Sequence, residues 1–341
     1  MGNFIRNFFG KPEDDPGDDS NAAPTTANTE AVPDTSPTNP VSPFENQRGS
    51  ITTIPVRPAA MEGGTRQLEP EPVVTIQAQN GQLVFAQLSD PGMKRANNED
   101  AAFALYTTSL SVDKRPDFGL FMVADGMGGH HNGEKASALA IRVVATEIMK
   151  QLYQPMLHDP EDDKDDRLPI AEVLELAVRA AHDQILKEFS SDTGTTLTAI
   201  VVMGNLAHIA HVGDSRAYLV TPGKMEQLTR DHSVVQRLVE LGTITRDEAR
   251  NHLERSKLYR TVGIKQDVEP DIATRRLVAG ASVLLCSDGL WEFVEDNQIR
   301  EIIATTPDPQ TACEKLVAMA NAGGGEDNIT AVLFRMPGSV Q

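Results

Sequence analysis

Five acidic sites share one setting, the place where a short apolar run meets a turn. They are Glu99 and Asp100 in "ANNEDA", Asp125 in "VADGMGG", Asp214 in "HVGDSRA", Asp288 in "LLCSDGLW" and Asp327 in "GGGEDNIT". A single aspartate at such a place has an ordinary use, capping a helix or shaping a turn. That reading weakens when the pattern recurs. Strands packed in one sandwich bring their ends to one edge, where several carboxylates repel each other strongly at low effective dielectric and need a countercharge. Oxygen ligands without cysteine or paired histidine suit a hard cation, Mg²⁺ or Mn²⁺. After Asp125, in "FMVADGMGGHHNGEKAS", Gly126, Gly128, Gly129 and Gly133 follow within eight positions. They either permit a tight turn with positive φ or let backbone carbonyls approach something the aspartate holds.

The elements that must position these groups are legible from residue 81 onward. "LVFAQLS" (83–89), "AAFALYT" (101–107) and "FGLFMVA" (118–124) are short, β-rich and bounded by turn residues. Residues 133–153 carry Ala136, Leu139, Ala140, Val143, Val144, Ile148 and Leu152 at helical spacing. A second helix is expected from Pro169 to Phe189, with proline suited to its first turn. "TTLTAIVVMG", "LAHIAHVGD" and "RAYLVTPGK" read as three strands of a β-meander joined by "GN" and "GDS" turns. A charged, mostly helical stretch covers 231–257. Strands near 271–278 and 281–287, helices near 296–304 and 309–321, and a last strand at 328–335 complete the pattern. Antiparallel strands with helices in separate pairs imply an α+β layered domain over 76–336.

Composition narrows the partners. The formal charge of the 341-residue chain is −18, which argues against nucleic acid or anionic lipid as the main partner. Cys286 and Cys313 are the two cysteines, each inside an apolar pattern, so no disulfide framework is expected and a reducing, cytoplasmic setting is. No apolar run approaches the roughly 18 residues of a membrane span. Eleven of the 21 prolines fall in residues 12–72, and residues 1–75 read as a disordered Pro/Thr-rich acidic tail. Within it, Phe4, Ile5, Phe8 and Phe9 would share one face of a very short helix. Residues 337–341 form a short C-terminal tail, and a monomer is expected.

In order along the chain, "SDPGMKRANNEDA", "VADGMGGHHNGEKAS", "GTTLTAIVV", "HVGDSRAYLV", "LTRDHSVVQ", "LLCSDGLWEFV" and "GGGEDNITAVLF" resemble the successive motifs of the metal-dependent type 2C serine/threonine protein phosphatases, bacterial type. The resemblance covers residues 83–335. It implies a four-layer α-β-β-α sandwich of two antiparallel sheets flanked by helices. It also implies two Mg²⁺ or Mn²⁺ ions bridged by Asp125, one ligated by the Gly126 carbonyl and the other by Asp288 and Asp327. By the same resemblance Glu99 holds water on the first ion, Asp100 supports it, and Asp214 with Asp288 helps hold a third, weaker metal. Arg95 matches the arginine that grips the substrate phosphate, and its planar fork suits that task better than lysine. The implied reaction is in-line attack of a metal-activated hydroxide on phosphoserine or phosphothreonine in proteins, opposing a Ser/Thr kinase. Met127 stands where many eukaryotic members carry a histidine, so no general acid is assigned; His130 and His131 lie nearby in sequence. Cys286 reads as core packing rather than a nucleophile. Residues 231–265 resemble the family's variable flap. There Arg237, Arg246, Arg250 and Arg255 either choose phosphopeptides or pair with Glu240, Asp247 and Glu254 on a solvated helical face.

Two other functions remain to be weighed against this one. A phosphoprotein-binding scaffold would be marked by loss of a metal ligand or of the phosphate arginine, and none is lost. A phosphatase of anti-sigma-factor antagonists fits "GEKAS", "GDSR" and "EDNIT" less well.

Overall fold

The run "FGLFMVA" is apolar at every position, which fits a strand covered on both faces. In the computed structural model its strand, Phe118–Met127, turns Leu120, Met122 and Ala124 to one core and Phe121 and Val123 to another. The structure describes residues 82–109, 115–128, 132–157, 167–189, 192–264 and 267–338. The expected tail over 1–75, with its Phe4–Phe9 face, lies outside the described residues, as do His130 and His131.

The strands in chain order are β1 (Val84–Asp90), β2 (Asp100–Thr107), β3 (Phe118–Met127), β4 (Gly194–Thr195), β5 (Leu197–Met203), β6 (Leu206–Val212), β7 (Arg216–Thr221), β8 (Lys224–Gln227), β9 (Asp271–Arg276), β10 (Ser282–Cys286) and β11 (Ile329–Arg335). One sheet has the order β1-β11-β10-β7-β8 and the other β2-β3-β5-β6-β9, with β4 on the end of β3. Helix α1 (Asn132–Ile148) runs on through a π-helical turn (Met149–Tyr153) into α2 (Gln154–Met156). Then come α3 (Ile170–Glu188), α4 (Val234–Glu240), α5 (Arg246–Arg250), α6 (Asp288–Trp291), α7 (Asp296–Thr305) and α8 (Pro309–Ala322).

Three apolar clusters separate four layers, as the resemblance implied. Ala136, Ala140 and Val144 of α1 and Leu174, Val178 and Ile185 of α3 pack on the outer face of the β3 sheet. Ile299 and Ile303 of α7 and Cys313 and Leu316 of α8 cover the outer face of the β10 sheet. Between the sheets lie Phe121, Ile200, Ile209, Val283, Leu285 and Phe334. The Phe121 and Phe334 rings stack with centroids 4.3 Å apart, and Phe85 meets Phe121 edge-on at 5.6 Å, both favoured aromatic geometries.

Two local expectations change. The three strands over 194–221 are not a meander: β5 pairs with β6, but β7 pairs with β10 and β8 in the other sheet. The "GDS" turn is therefore a crossing between sheets. Nor does the strand before "GMGG" stop at Asp125, because Gly126 and Met127 continue it by pairing with Thr195 and Gly194 of β4.

The stacked Phe121 ring ties the two sheets, so Phe121→Ala should cost about 3–5 kcal/mol in urea unfolding. A cost below about 1 kcal/mol would contradict this placement of the inter-sheet core.

Candidate active site at the sheet edge

Strand register gathers the acidic positions. In one sheet Asp100 opens β2 directly opposite Asp125 on β3. In the other, Cys286 ends β10 opposite Ala331 of β11 and Arg216 of β7, so Asp288, Asp327 and Asp214 all fall just past that same end. Ser287 joins the two sheets: its Oγ donates to Asp100 Oδ2 at 2.6 Å and accepts from the Thr330 amide at 3.0 Å.

Asp125 is fixed through its backbone. Its amide donates to Thr196 Oγ1 at 2.9 Å, and its carbonyl accepts from the Thr196 amide and from Thr195 Oγ1 at 2.8 and 2.9 Å. The next residue must be glycine because of close approach rather than dihedral freedom. A Cβ on Gly126 would stand 2.1 Å from the Gly133 carbonyl oxygen and 2.6 Å from that of Glu99. Gly133, in the first turn of α1, leaves room in turn for the Glu99 carboxylate, whose Cδ would lie 2.9 Å from an added Cβ. Crowding by the Gly133 and Glu99 carbonyls, which neither reading of the glycine run supplied, explains Gly126.

Arg95 and Glu99 ride on a loop fastened to the segment around Asp327. The buried Asn328 side chain accepts from the Glu99 amide at 2.7 Å and donates to the Pro91 and Asn97 carbonyls at 3.0 and 2.8 Å. Gly92, at φ 78°, sits where a Cβ would be 2.2 Å from the Asp327 carbonyl oxygen. Arg95 Nη2 meets Asp327 Oδ2 at 2.6 Å, with half of its own side chain exposed.

The carboxylates act on one another. Burial first, then Asp100, Asp288, Asp214 and Asp327, push the Asp125 carboxyl well above the usual carboxylate range. Asp288 rises for the same reasons, with Asp214 and Glu292 its main neighbours. Burial lifts Asp100 to about 6, against the opposing Ser287 hydrogen bond, and lifts Asp214 to about 7, with Asp231 adding to the rise and Arg216 resisting it. Arg95 goes the other way from what burial alone would give, because Asp327, Glu99 and Asp125 raise its pKa. Among the described residues, no three His, Cys, Asp or Glu side chains close into a chelating cluster. Asp327 is turned to Arg95, and like charges this dense repel rather than converge. The donor set nonetheless fits a hard cation: every candidate is oxygen, and the buried Asp100 Oδ1 and Asp288 Oδ1 have no hydrogen-bond partner.

Glu99, Asp100, Asp125, Gly126, Asp214, Asp288, Asp327 and Arg95 thus all come to one edge. Cys286 is buried in the apolar cluster between the β10 sheet and its covering helices, and its thiol is pushed up by burial, consistent with packing. In the flap-like stretch, Arg237 pairs with Glu240 at 3.6 Å as expected of a helical face. Arg250 and Arg255 instead reach Glu295 and Glu292, at 2.7 and 3.7 Å. Asn328, Ser287, Thr196, Arg216, Asp231 and Trp291 were not identified from sequence. Ser287 and Asn328 carried a local signal, each directly beside a candidate aspartate at a strand end.

A two-sheet sandwich with an all-oxygen acidic edge and one arginine set into it is the architecture that the motif order implied. The chain belongs to the protein phosphatase 2C family, whose family model matches residues 94–321. It is 38% identical over 256 residues to the serine/threonine protein phosphatase PstP of Mycobacterium tuberculosis, covering 74% of this chain but 44% of PstP; the chain thus spans under half the length of that relative. It is 33% identical to the protein phosphatase PhpP of Streptococcus pneumoniae over 254 residues, 74% of this chain and 98% of PhpP. A solved catalytic domain of PstP in complex with two manganese ions superposes with a TM-score of 0.60 at 36% identity, covering 74% of this chain and 97% of that one.

A carboxyl whose pKa rises on folding holds its proton more tightly in the folded state. Its contribution is full below its unfolded value and is lost as pH climbs through the folded one. With Asp100 at about 6 and Asp214 at about 7, the melting temperature in chelator should fall between pH 5 and pH 8. Asp214→Asn should flatten that fall. A level or rising profile in the unsubstituted protein would contradict the electrostatic reading of this edge.

Proposed function

We propose that this chain hydrolyses phosphoserine and phosphothreonine in proteins, in a reaction that depends on two divalent cations. The observation that carries this reading is the edge itself, where mutually repelling carboxylates include two buried oxygens with no hydrogen-bond partner. Asp125, the Gly126 carbonyl, Asp288 and Asp327 would hold the two ions, with Glu99 beside them and Asp100, tied to Ser287, behind them. Asp214 with Asp288 would take a third, weaker ion. Such ions, when bound, supply a hydroxide nucleophile near neutral pH and offset charge on phosphate oxygens.

The remaining work falls to the chain. Arg95 has a planar fork suited to two phosphate oxygens at once, and its loop is pinned to the Asp327 segment by Asn328. Met127 has no proton to give a leaving serine or threonine oxygen. Cys286 is sealed in the apolar core, so no phosphocysteine forms. The two-manganese PstP domain and the names of the bacterial relatives support the same substrate class. A Ser/Thr kinase whose phosphorylation is reversed is the partner this reading implies, in the cytoplasm. No helix among the described residues is long and apolar enough to cross a membrane. The catalytic domain would be residues 76–336, with 231–265 as its flap.

Hydrolysis of a phosphothreonine peptide should proceed with Mn²⁺ and stop with EDTA or in Asp288→Asn. Turnover without metal, or full activity of Asp288→Asn, would sink the proposal. Arg95→Ala should lower kcat/KM roughly ten- to a hundredfold, the loss expected for charge-assisted hydrogen bonds, and Arg95→Lys should recover little of it.

A further inference from the structure

Asp214 and Asp288 sit on separate elements, the first in the crossing before β7 and the second at the start of α6. One side chain spans them. Trp291 lies three residues after Asp288 on α6, a spacing that puts both on one helix face. Its indole Nε1–H donates to the Asp214 carbonyl oxygen at 3.1 Å. The same ring carries the Arg216 guanidinium, with Cζ 3.4 Å from the ring centroid, a stacked cation–π arrangement.

Arg216 is itself immobilised. Its Nε and Nη2 meet Asp231 at 2.7–3.1 Å, and its Nη1 donates to Tyr218 Oη at 3.0 Å. Asp231 and Tyr218 are buried, and Gln227 Nε2 donates to Asp231 at 2.9 Å. The indole is therefore clamped by a salt bridge on one side and holds a site backbone on the other. Such a chain of fixed contacts transmits position, because neither end can shift without breaking a buried polar contact.

We propose that Trp291 is a positioning residue, whose hydrogen bond to the Asp214 backbone sets the spacing of the Asp214 and Asp288 carboxylates and so makes the weaker cation site they share. The inference rests on the cation-dependent function above. Phenylalanine could fill the space and keep the Arg216 stack, but it has no N–H for Asp214. Tryptophan supplies both.

The test uses the full chain and Mn²⁺ alone, by calorimetric titration and by electron paramagnetic resonance of free Mn²⁺. The unsubstituted chain should show a tighter and a weaker class of sites, and Asp214→Asn should lose the weaker. Trp291→Phe should keep the tighter class and bind the weaker ion roughly three- to tenfold less well, the worth of one net hydrogen bond. Its KM for phosphopeptide should stay unchanged while the Mn²⁺ needed for half-maximal rate rises. Unchanged weak-site affinity in Trp291→Phe, even with a lowered melting temperature, would overturn the proposal. Because the chain has a single tryptophan, its emission gives a second reading without that substitution. Emission should change as the weaker site fills and should not do so in Asp214→Asn; a flat signal while that site fills would also overturn the proposal. Failure of the unsubstituted chain to bind any Mn²⁺ would instead overturn the cation-dependent function, and this inference with it.

Discussion

Repulsion between carboxylates held at one sheet edge is the constraint that orders the rest of this structure. Asp100 and Asp125 face each other directly across two paired strands, a placement like charges disfavour. Asp214, Asp288 and Asp327 add to the same field from the second sheet. Nothing in such a set favours its own assembly, so the surrounding frame must impose it. The Thr195 and Thr196 contacts to Asp125, the Ser287 link to Asp100 and the three Asn328 hydrogen bonds to the 91–99 loop form that frame.

The frame in turn depends on the sandwich. Neither sheet owns the site: Asp100 and Asp125 come from one, and Asp214, Asp288 and Asp327 from the other. Their relative placement is set by how the sheets pack, through Phe121, Phe334 and the aliphatic side chains between them. Close packing has few voids and little give, so a core of this kind holds charges apart or together at fixed spacing. The site geometry and the inter-sheet core are one mechanical problem.

The parts written in local pattern were legible in the sequence. Strand runs, helix periods and the acidic positions at strand ends all depend on neighbours within a few residues. The crossing at Asp214 was not legible, because "GDS" specifies a reversal of the chain and not which strand the next segment pairs with. That choice is made by contacts far along the chain, such as β7 with β10. The continuation of β3 through Gly126 was hidden for a related reason: glycine suggests a turn, but here it answers the close approach of Gly133 and Glu99. Trp291 and Asn328 look like core and turn residues in sequence, since their partners lie 77 and up to 237 positions away.

The same crowding bears on what can neutralise this edge. Against Glu99, Asp100, Asp125, Asp214, Asp288 and Asp327 the described residues set Arg95, which already meets Asp327, and Arg216, whose charge is engaged by Asp231. Further arginines or lysines would each need a long side chain threaded into the space. At Gly126, next to Asp125, there is not room even for a methyl group, since a Cβ there meets backbone at 2.1 Å. A countercharge compatible with that packing has to be compact, carry more than one unit of charge and accept oxygen on several sides at once. A hard divalent cation meets all three conditions, whereas a basic side chain carries a single unit of charge on a long stem. The glycines that first looked like turn formers are thus part of the same electrostatic solution as the aspartates they follow.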